Sequence, residues 1–310
     1  MTENGGPGGP IEHGFPHLAT VRASITALFR RLSADGIRAY DTSITPADAA
    51  FDATDDLYPG AQRVAAATVR ALRLPDARMV VSFRAMEEAA TVELATGPEY
   101  FVEVNDRFRT HRRDLAAALS HEVAHVLLHR LDLHFPGTAE NEILTDTAAA
   151  YLGAGWLLLD AYREDALTHQ RFGYLTPEEF GYVLAKRAAL FDEDPAPWFT
   201  SHRAYEAYVR GRALAERDHR RAPLAAAGPL ARRRYAKAQR TGGDGGAGNG
   251  GAAGAAGGDA STYRFEQDGS GGGLRVSFPC PVCAQRLRVP VRGRLRARCG
   301  LCHSVLDCLT

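Results

Sequence analysis

The sequence predicts an α+β fold, in which a mostly helical domain with a small sheet is followed by a Gly-rich linker and a small C-terminal module. Three observations predict this organisation. Apolar residues recur at helical spacing along much of residues 17–222. Three short runs rich in Val, Phe and Tyr indicate strands. Finally, residues 241–273 consist largely of Gly and Ala, a composition that cannot form a core.

The chain begins with residues 1–16, which are mostly Gly, Pro and polar, so we predict a disordered lead. Two helices and then three strands are predicted next, over residues 18–34, 60–74, 79–83, 91–95 and 100–104.

Residues 115–128 (LAAALSHEVAHVLL) are rich in Ala and Leu and lack Gly and Pro, which predicts a buried helix. After a turn at residues 134–137, the apolar run of residues 147–159 predicts further helix.

The later part of this domain is also predicted to be helical. Thr176 is the predicted N-cap of a helix with Pro177 at its first position, Glu179 at its third and its end near Phe191. Another helix is predicted over residues 201–219.

His121, Glu122 and His125 lie on the predicted buried helix. Residues four apart stack on one helix face, so the two histidines can bind one metal ion. Glu122 lies about 100° further round the helix, where its carboxylate can take a proton from a water molecule. This is the HExxH pattern of zinc peptidases, in which the glutamate is the general base. The alternative is a pair of core histidines bonded to backbone carbonyls, with Glu122 on a solvated face.

A third ligand has to come from elsewhere in the sequence. A histidine six residues after His125 is excluded, because Leu131 stands there. Glu142 lies 17 residues beyond His125, which is far enough for the helix to end and the chain to return antiparallel. Asp146 follows one turn after Glu142 on the same face. A ligand at Glu142, with Asp146 accepting the N–H of a ligating histidine, completes a zinc site.

The pair HEVAH and NEILTD resembles the gluzincins, metallopeptidases with HExxH, a later glutamate ligand and an aspartate four residues after it. The resemblance covers roughly residues 100–160. Within this range, the sequence is similar to cytoplasmic bacterial members of that clan. It implies a catalytic Zn²⁺ whose ligands would be His121, His125 and Glu142. It also implies that Glu122 is the general base and that Asp146 orients a ligand histidine.

Two alternatives for the ligands stay open. Asp146 could be the ligand with Glu142 as its support, since both carboxylates lie on one face. His129 lies on the same stripe as His125 and could compete, although it better suits the C-terminal end of the helix.

The resemblance also implies a zincin-like metallopeptidase domain over residues 17–222, with a peptide or protein as substrate. In such folds a strand just before the metal helix forms the edge of the sheet, and a peptide can pair with it. Residues 100–105 (YFVEVN) are the candidate, and an inner strand fits their pattern equally well. Candidates for oxyanion stabilisation are His169, Tyr174 and His202, although each better fits a surface or structural role.

All five cysteines lie after residue 279, and four of them form two CxxC pairs, Cys280 with Cys283 and Cys299 with Cys302. Four thiolates at this spacing can bind one structural Zn²⁺ tetrahedrally, and the metal replaces the core that so short a segment cannot build.

The segment with these cysteines resembles a zinc ribbon, predicted over residues 274–310. The residues between the two CxxC pairs alternate like two short strands. A basic helix and a Gly-Ala-rich flexible linker are predicted before it, over residues 223–273. Cys308 is predicted to be a spare thiol, and His303 is a weaker alternative ligand.

Charge is distributed unevenly along the chain. Residues 1–200 contain 29 acidic and 18 basic side chains, a net charge of −11, whereas residues 201–310 contain 8 acidic and 19 basic, a net charge of +11. Seven arginines and no acidic residue lie between Arg275 and Arg298. Such a surface suits contact with nucleic-acid phosphates or with a protein. The lack of interleaved aromatic residues for base stacking favours a protein partner or another role over sequence reading.

We predict a cytoplasmic protein with no membrane span. The first residues lack the charged start and apolar core of a signal peptide, and no apolar run reaches the length of a membrane-spanning helix. Cysteines in metal-type pairs suit a reducing interior.

The predicted function is a zinc-dependent peptidase that hydrolyses peptide bonds with Glu122 as general base. The alternative is a non-catalytic binding or regulatory protein, anchored to nucleic acid or a protein partner through the basic zinc ribbon. Glu122 favours the first, since a purely structural metal site has no use for a base beside its zinc.

Overall fold

The computed structural model describes residues 11–164, 169–170, 172–221, 223–224, 228–243, 263–267 and 273–310. The chain divides into two compact units, Met1–Leu214 and Ala215–Thr310. The fold class is α+β, as predicted, with helices dominating and the strands forming small sheets.

The predicted helices and strands of the first unit occur in the predicted order. Its helices are α1 (Leu18–Arg38), α2 (Pro46–Ala49), α3 (Leu57–Ala71), α4 (Leu115–Arg130), α5 (Thr138–Ala149), α6 (Gly155–Asp160), α7 (Pro177–Phe191) and α8 (His202–Arg221), within which the boundary between the units falls. Its strands are β1 (Arg78–Arg84), β2 (Ala90–Val92), β3 (Glu99–Asn105), β4 (Arg163–Glu164) and β5 (His169–Gln170). The short elements α2, β4 and β5 come in addition to the predicted ones.

The main sheet has the order β1–β3–β2, with β3 parallel to β1 and antiparallel to β2. Of the two alternatives left open for residues 100–105, the structure contains the inner strand and not the edge strand, because β3 is the central strand. The alternation along β3, with Tyr100, Val102 and Val104 buried, fits a central strand as well as an edge strand. The edge beside α4 is β2, which packs against that helix.

Helix α4 lies at the centre of the first unit and packs against α3, α5 and β2. Almost every residue of its first four turns is buried, as the Ala- and Leu-rich sequence predicts. The helix ends at Arg130, and Asp132 just after it has a positive φ of 48°.

The predicted start of α7 is confirmed. The Thr176 side chain accepts from the Glu179 N–H and the Glu179 carboxylate accepts from the Thr176 N–H, with Pro177 at the first helical position. Residues before α1 contact this end of α7: Gly14 donates its N–H to Glu178 and His17 donates its N–H to Glu179. Residues 1–10 of the predicted disordered lead lie outside the described residues.

The predicted helical run of residues 147–159 is interrupted by a π-turn, Ala150–Ala154, between α5 and α6. Within it Gly153 has a φ of 120°, and a Cβ at this position would lie 3.1 Å from backbone atoms of Thr42 and Ser43. The loop before α2 approaches closely there, because Ile44 donates its N–H to the Gly153 carbonyl. The apolar pattern does not reveal this contact, since it is made with a distant segment.

In the part of the second unit that the structure describes, the elements are α9 (Pro229–Gly243) and the strands β6 (Arg264–Gln267), β7 (Leu274–Pro279), β8 (Arg286–Pro290), β9 (Arg294–Arg298) and β10 (Val305–Leu309). An antiparallel sheet has the order β6–β7–β8, and β9 pairs with β10. The two strands predicted between the CxxC pairs are confirmed as β8 and β9.

Strand β6 lies within the range that the sequence assigned to the flexible linker, residues 223–273. Its four residues pair with β7, and Phe265 packs against Tyr235 of α9 at 5.1 Å between ring centroids. Glycines surround this short strand in the sequence, so composition hides it. Residues 244–262 and 268–272 of the predicted linker lie outside the described residues.

Among the described residues, none of the helices combines the length and the hydropathy needed to cross a bilayer.

The π-turn yields a test of the packing of the first unit. We expect Gly153→Ala to lower the free energy of unfolding by about 1–3 kcal/mol, because an L-residue is strained at this φ and its Cβ meets the neighbouring backbone. Urea unfolding followed by tryptophan fluorescence measures this change, since both tryptophans, Trp156 and Trp198, lie in the first unit.

Gly36→Ala in α1 is the matched control. Its Cβ would meet only the Leu32 side chain within van der Waals distance, at 3.4 Å, and Ser33 Oγ at 3.5 Å, so stability should stay constant or rise by up to about 1 kcal/mol. Equal effects of the two substitutions would contradict this account of the π-turn.

Candidate metal centres

The first group of candidate ligands is formed by α4 and α5. The Nε2 atoms of His121 and His125 lie 3.1 Å apart. Glu142 Oε2 lies 3.2 Å from His121 Nε2 and 3.4 Å from His125 Nε2. His121, the earlier histidine of α4, contacts Asp146 late in α5, whereas His125 contacts Glu142 earlier in α5. The two helices therefore run in opposite directions, which brings the three predicted ligands together.

These distances fit a metal ion. Ligand–zinc distances of 2.0–2.1 Å in a tetrahedron place the ligand atoms about 3.3–3.4 Å apart. The three atoms, one from each of His121, His125 and Glu142, all approach one another that closely. Two imidazole nitrogens and a carboxylate oxygen are a donor set that zinc prefers. The group is therefore able to hold a metal ion on three of four tetrahedral positions.

Asp146 lies behind this group and is fully buried. Its Oδ1 is 2.8 Å from Nδ1 of His121, while its Oδ2 accepts the N–H groups of Tyr174 at 2.5 Å and Leu175 at 3.1 Å. With a metal ion bound, a proton on Nδ1 would leave the lone pair of Nε2 facing that ion. Of the two carboxylates, the structure thus brings Glu142 to both Nε2 atoms and Asp146 to the far side of one ring.

Two supporting contacts could not be predicted from the motif. Thr145 Oγ1 lies 3.3 Å from Nδ1 of His125, and its position directly before Asp146 is the one signal that could have suggested it. The loop from Gly173 to Leu175 carries the N–H donors for Asp146. Gly173 has a φ of 80°, and a Cβ there would lie 2.2 Å from Asp146 Oδ1. No local pattern indicates this approach, which joins residues far apart in the chain.

Glu122, the predicted base, is buried beside the two histidines and has 6% of its surface exposed. Burial raises the pKa of its carboxyl, the charges of His121 and His125 act against this rise, and Glu142 adds to it.

The candidate ligands shift the pKa values of one another. Burial favours the neutral carboxyl, yet hydrogen bonds from His121 and His125 lower the pKa of Glu142 to about 2. Burial likewise opposes a charged imidazole, but hydrogen bonds to Asp146 and Glu142, together with the negative charges of Asp146 and Glu122, raise the pKa of His121 well above its usual value. Glu142 is accordingly present as the carboxylate, which is the form that binds metals.

The remaining sequence candidates lie apart from this group or only support it. His129 is exposed near the end of α4 and is not among the grouped ligands. His202 is exposed and lies 3.2 Å from Glu206 of its own helix. Tyr174 contacts the site through its backbone, as described, and the side chain of His169 lies outside the described residues.

The second group consists of Cys280, Cys283, Cys299 and Cys302, all buried and free of disulfides. Sγ atoms of Cys280 and Cys302 are 3.6 Å apart, as are those of Cys283 and Cys299. A tetrahedral ion with Zn–S distances of 2.3 Å would place its thiolates about 3.8 Å apart. The structure therefore brings together four thiols at the spacing that one metal ion requires.

The two CxxC segments repeat one local conformation. In the first, Cys280 donates its N–H to Gln285 and Ala284 donates back to Cys280. In the second, Cys299 and Ser304 are joined in the same way, and His303 donates back to Cys299. Ala284 and His303 both have a positive φ near 60°.

The fifth cysteine, Cys308, is not part of the cluster. It is buried on β10, and burial raises the pKa of its thiol to about 11. His303, the alternative ligand, is exposed. Among the described residues, the metal-type groups are this cluster and the His–Glu group alone.

The two groups differ in their access to solvent. Side chains of His121, His125 and Glu142 are 15–20% exposed, whereas the four cysteines are at most 3% exposed. Structural zinc sites are closed by four protein ligands, and catalytic sites keep one position open. The arrangement thus distinguishes one open and one closed centre.

Comparison of the chain with protein-family models, curated proteins and solved structures gave no significant match. The chemistry of the two groups therefore rests on their own geometry.

Asp146 provides a test of the open centre. Asp146→Asn places an amide where three N–H donors converge, so it should weaken zinc binding at this centre by about 10–100-fold. Competition with a chromogenic chelator measures the affinity. Asp160→Asn is the matched control, because Asp160 is a buried aspartate that accepts from Thr200 and Ser201. An unchanged affinity in Asp146→Asn would contradict the assigned role.

The closed centre is tested by removing one thiol. Cys283→Ser should lower the zinc content by one ion per chain and reduce amide protection across residues 274–310, because the metal substitutes for a core. Metal analysis by mass spectrometry and hydrogen exchange provide the two measurements. Cys308→Ser is the control, and we expect it to retain full zinc content. A metal loss as large as that of Cys283→Ser would place Cys308 among the ligands.

Proposed function

We propose that the protein is a zinc-dependent peptidase of the gluzincin type, which hydrolyses a peptide or protein substrate at the open centre. The observation that carries the proposal is the convergence of His121, His125 and Glu142 at 3.1–3.4 Å, with the buried Glu122 beside them. The four-cysteine cluster would hold a second, structural zinc ion in a zinc ribbon.

Each residue of the open centre has a role in this proposal. His121, His125 and Glu142 hold the metal, while Asp146 keeps Nδ1 of His121 protonated and its ring in place. Glu122 accepts the proton of the water that attacks the scissile carbonyl and passes it to the leaving amine. A zinc ion bound here supplies Lewis-acid polarisation of that carbonyl and makes the water more acidic.

The edge strand β2 supports a peptide as substrate. Ala89 and Glu93 face β3, because Asn105 donates its N–H to the Ala89 carbonyl and Glu93 donates its own to Phe101. In an antiparallel pair, the N–H and C=O groups of successive residues point alternately toward and away from the partner strand, so those of Ala90 and Val92 point away from β3. They leave a polar edge next to α4, to which an extended peptide can add as a strand.

A purely structural role for the open centre fits these observations less well. The partial exposure of all three ligands leaves room for a reactant, and a structural site requires no buried carboxylate next to its histidines. A cytoplasmic location belongs to the same proposal, because five free cysteines suit a reducing compartment.

The experiment compares Glu122→Gln and Glu142→Ala with the wild-type full-length chain. We expect two zinc ions per chain, one at each group, in the wild type and in Glu122→Gln, and one in Glu142→Ala. Activity is measured on a blocked peptide library in ¹⁸O-water, where hydrolysis labels each new carboxylate. Glu122→Gln should lose almost all cleavage, by at least about 10²-fold, because the base is gone.

Two outcomes would contradict the proposal. Full activity in Glu122→Gln would remove the glutamate from the mechanism. If the wild-type chain holds both zinc ions and yet cleaves no peptide of the library, the open centre binds metal without catalysing hydrolysis.

A further inference from the structure

One face of the sheet β6–β7–β8 is rich in arginine. Arg264 is paired with Ser277 across the first two strands, and Ser277 with Arg288 across the next two. Because paired residues share a face, Glu266 with Arg275 and Pro279 with Arg286 lie on this same side. We call it the arginine face, which consists of Arg264, Arg275, Arg286 and Arg288 together with Glu266, Ser277 and two prolines.

The opposite face of the sheet forms part of the core of the second unit. Val276, Phe278, Leu287 and Val289 are buried on it. In contrast, Arg264, Arg286 and Arg288 are exposed. The alternation along three strands therefore separates an apolar side from a side on which four arginines accompany a single acid.

The charges of the arginine face are incompletely balanced. Glu266 pairs with Arg288 at 3.2 Å. In the described part of the chain, Arg264 and Arg286 form no ion pair, and Arg286 instead donates to the carbonyl and hydroxyl oxygens of Ser277, both at 3.3 Å. Because Arg286 reaches Ser277, the residue that is paired with Arg264 in the sheet, both arginines flank one serine on this face. Burial and the positive charge of Arg264 lower the pKa of Arg286, while the negative charge of Glu266 raises it. An anion bound between the two arginines would balance their charges.

The composition of the face discriminates between polyanionic partners. A protein interface usually has an apolar or aromatic core, and a membrane-binding surface inserts apolar side chains. The arginine face has neither, since its non-arginine members are a glutamate, a serine and prolines. Arginine forks match phosphate oxygens in geometry. Without aromatic residues for stacking on single-stranded bases, contacts with a duplex backbone remain.

We propose that the arginine face binds the phosphate backbone of double-stranded nucleic acid without reading its sequence, with Arg264 and Arg286 contacting phosphates. The proposal is independent of the peptidase function, because it concerns the second unit alone. Binding should be governed by salt, since each phosphate contact releases condensed counterions.

The test measures binding of the full-length, zinc-loaded chain to a labelled DNA duplex of about two helical turns across a range of KCl concentrations. The wild-type affinity should fall steeply with salt. Arg264→Gln/Arg286→Gln should weaken binding on the order of tenfold at low salt and reduce the slope of log K against log salt by about 2. Two duplexes of different sequence should bind equally well.

The control removes two other exposed arginines of the same unit, in Arg294→Gln/Arg298→Gln on β9. It changes the net charge by the same amount but leaves the arginine face intact, so its effect should be clearly smaller. Arg264→Lys/Arg286→Lys keeps the positive charges and removes the guanidinium groups, so it should retain the slope of log K against log salt. This variant also shows whether a loss of binding in the neutral variant comes from misfolding.

Three outcomes would overturn the proposal. One is an equal loss in the β9 control, which would indicate an effect of net charge alone. Another is an absence of duplex binding while vesicles with anionic lipid or polyglutamate bind, which would assign the face to a membrane or to an acidic protein. The third is a stronger affinity for single-stranded DNA of the same length.

Discussion

The buried carboxylate of Asp146 is the interaction on which the arrangement of the first unit depends. Burying a charged group costs several kcal/mol unless hydrogen bonds compensate for the lost water. Here the compensation comes from His121 of α4 and from the N–H groups of Tyr174 and Leu175. Satisfying one carboxylate therefore fixes α4, α5 and the loop before α7 relative to one another. The candidate metal ligands lie where these segments are held together.

The two candidate metal groups differ in how deeply the fold buries them. In the cysteine cluster, each thiol is enclosed and two equivalent turns supply one pair each, so the four thiols could complete a tetrahedron around one metal ion. In the His–Glu group, a helix pair supplies three ligands from one side, and partial exposure leaves the fourth direction to solvent. The first arrangement suits stabilising a small unit, and the second suits exchange of reactants.

Local patterns in the sequence predict much of this structure. The four-residue spacing of His121 and His125 has its effect within one helix, and the cap of α7 forms within four residues, so both follow from sequence alone. The spacing to Glu142 predicts an antiparallel return, which the structure contains. By contrast, the π-turn at Gly153 and the hydrogen bonds that Asp146 accepts from the loop before α7 depend on segments distant in the chain. Alternation also cannot distinguish an edge from a central strand, which is why the sequence left both positions open for β3.

The shortness of β2 has a consequence for the behaviour of the protein in concentrated solution. An open strand edge is a template on which a second copy can align, and long flat edges promote aggregation. β2 has only three residues, and a 3₁₀ turn follows directly after it. Two outward-facing residues provide few hydrogen bonds, each adding only about 0.5–1.5 kcal/mol. An edge this short could pair briefly with an extended peptide, but it offers too few hydrogen bonds to join copies of the chain into a continuous sheet.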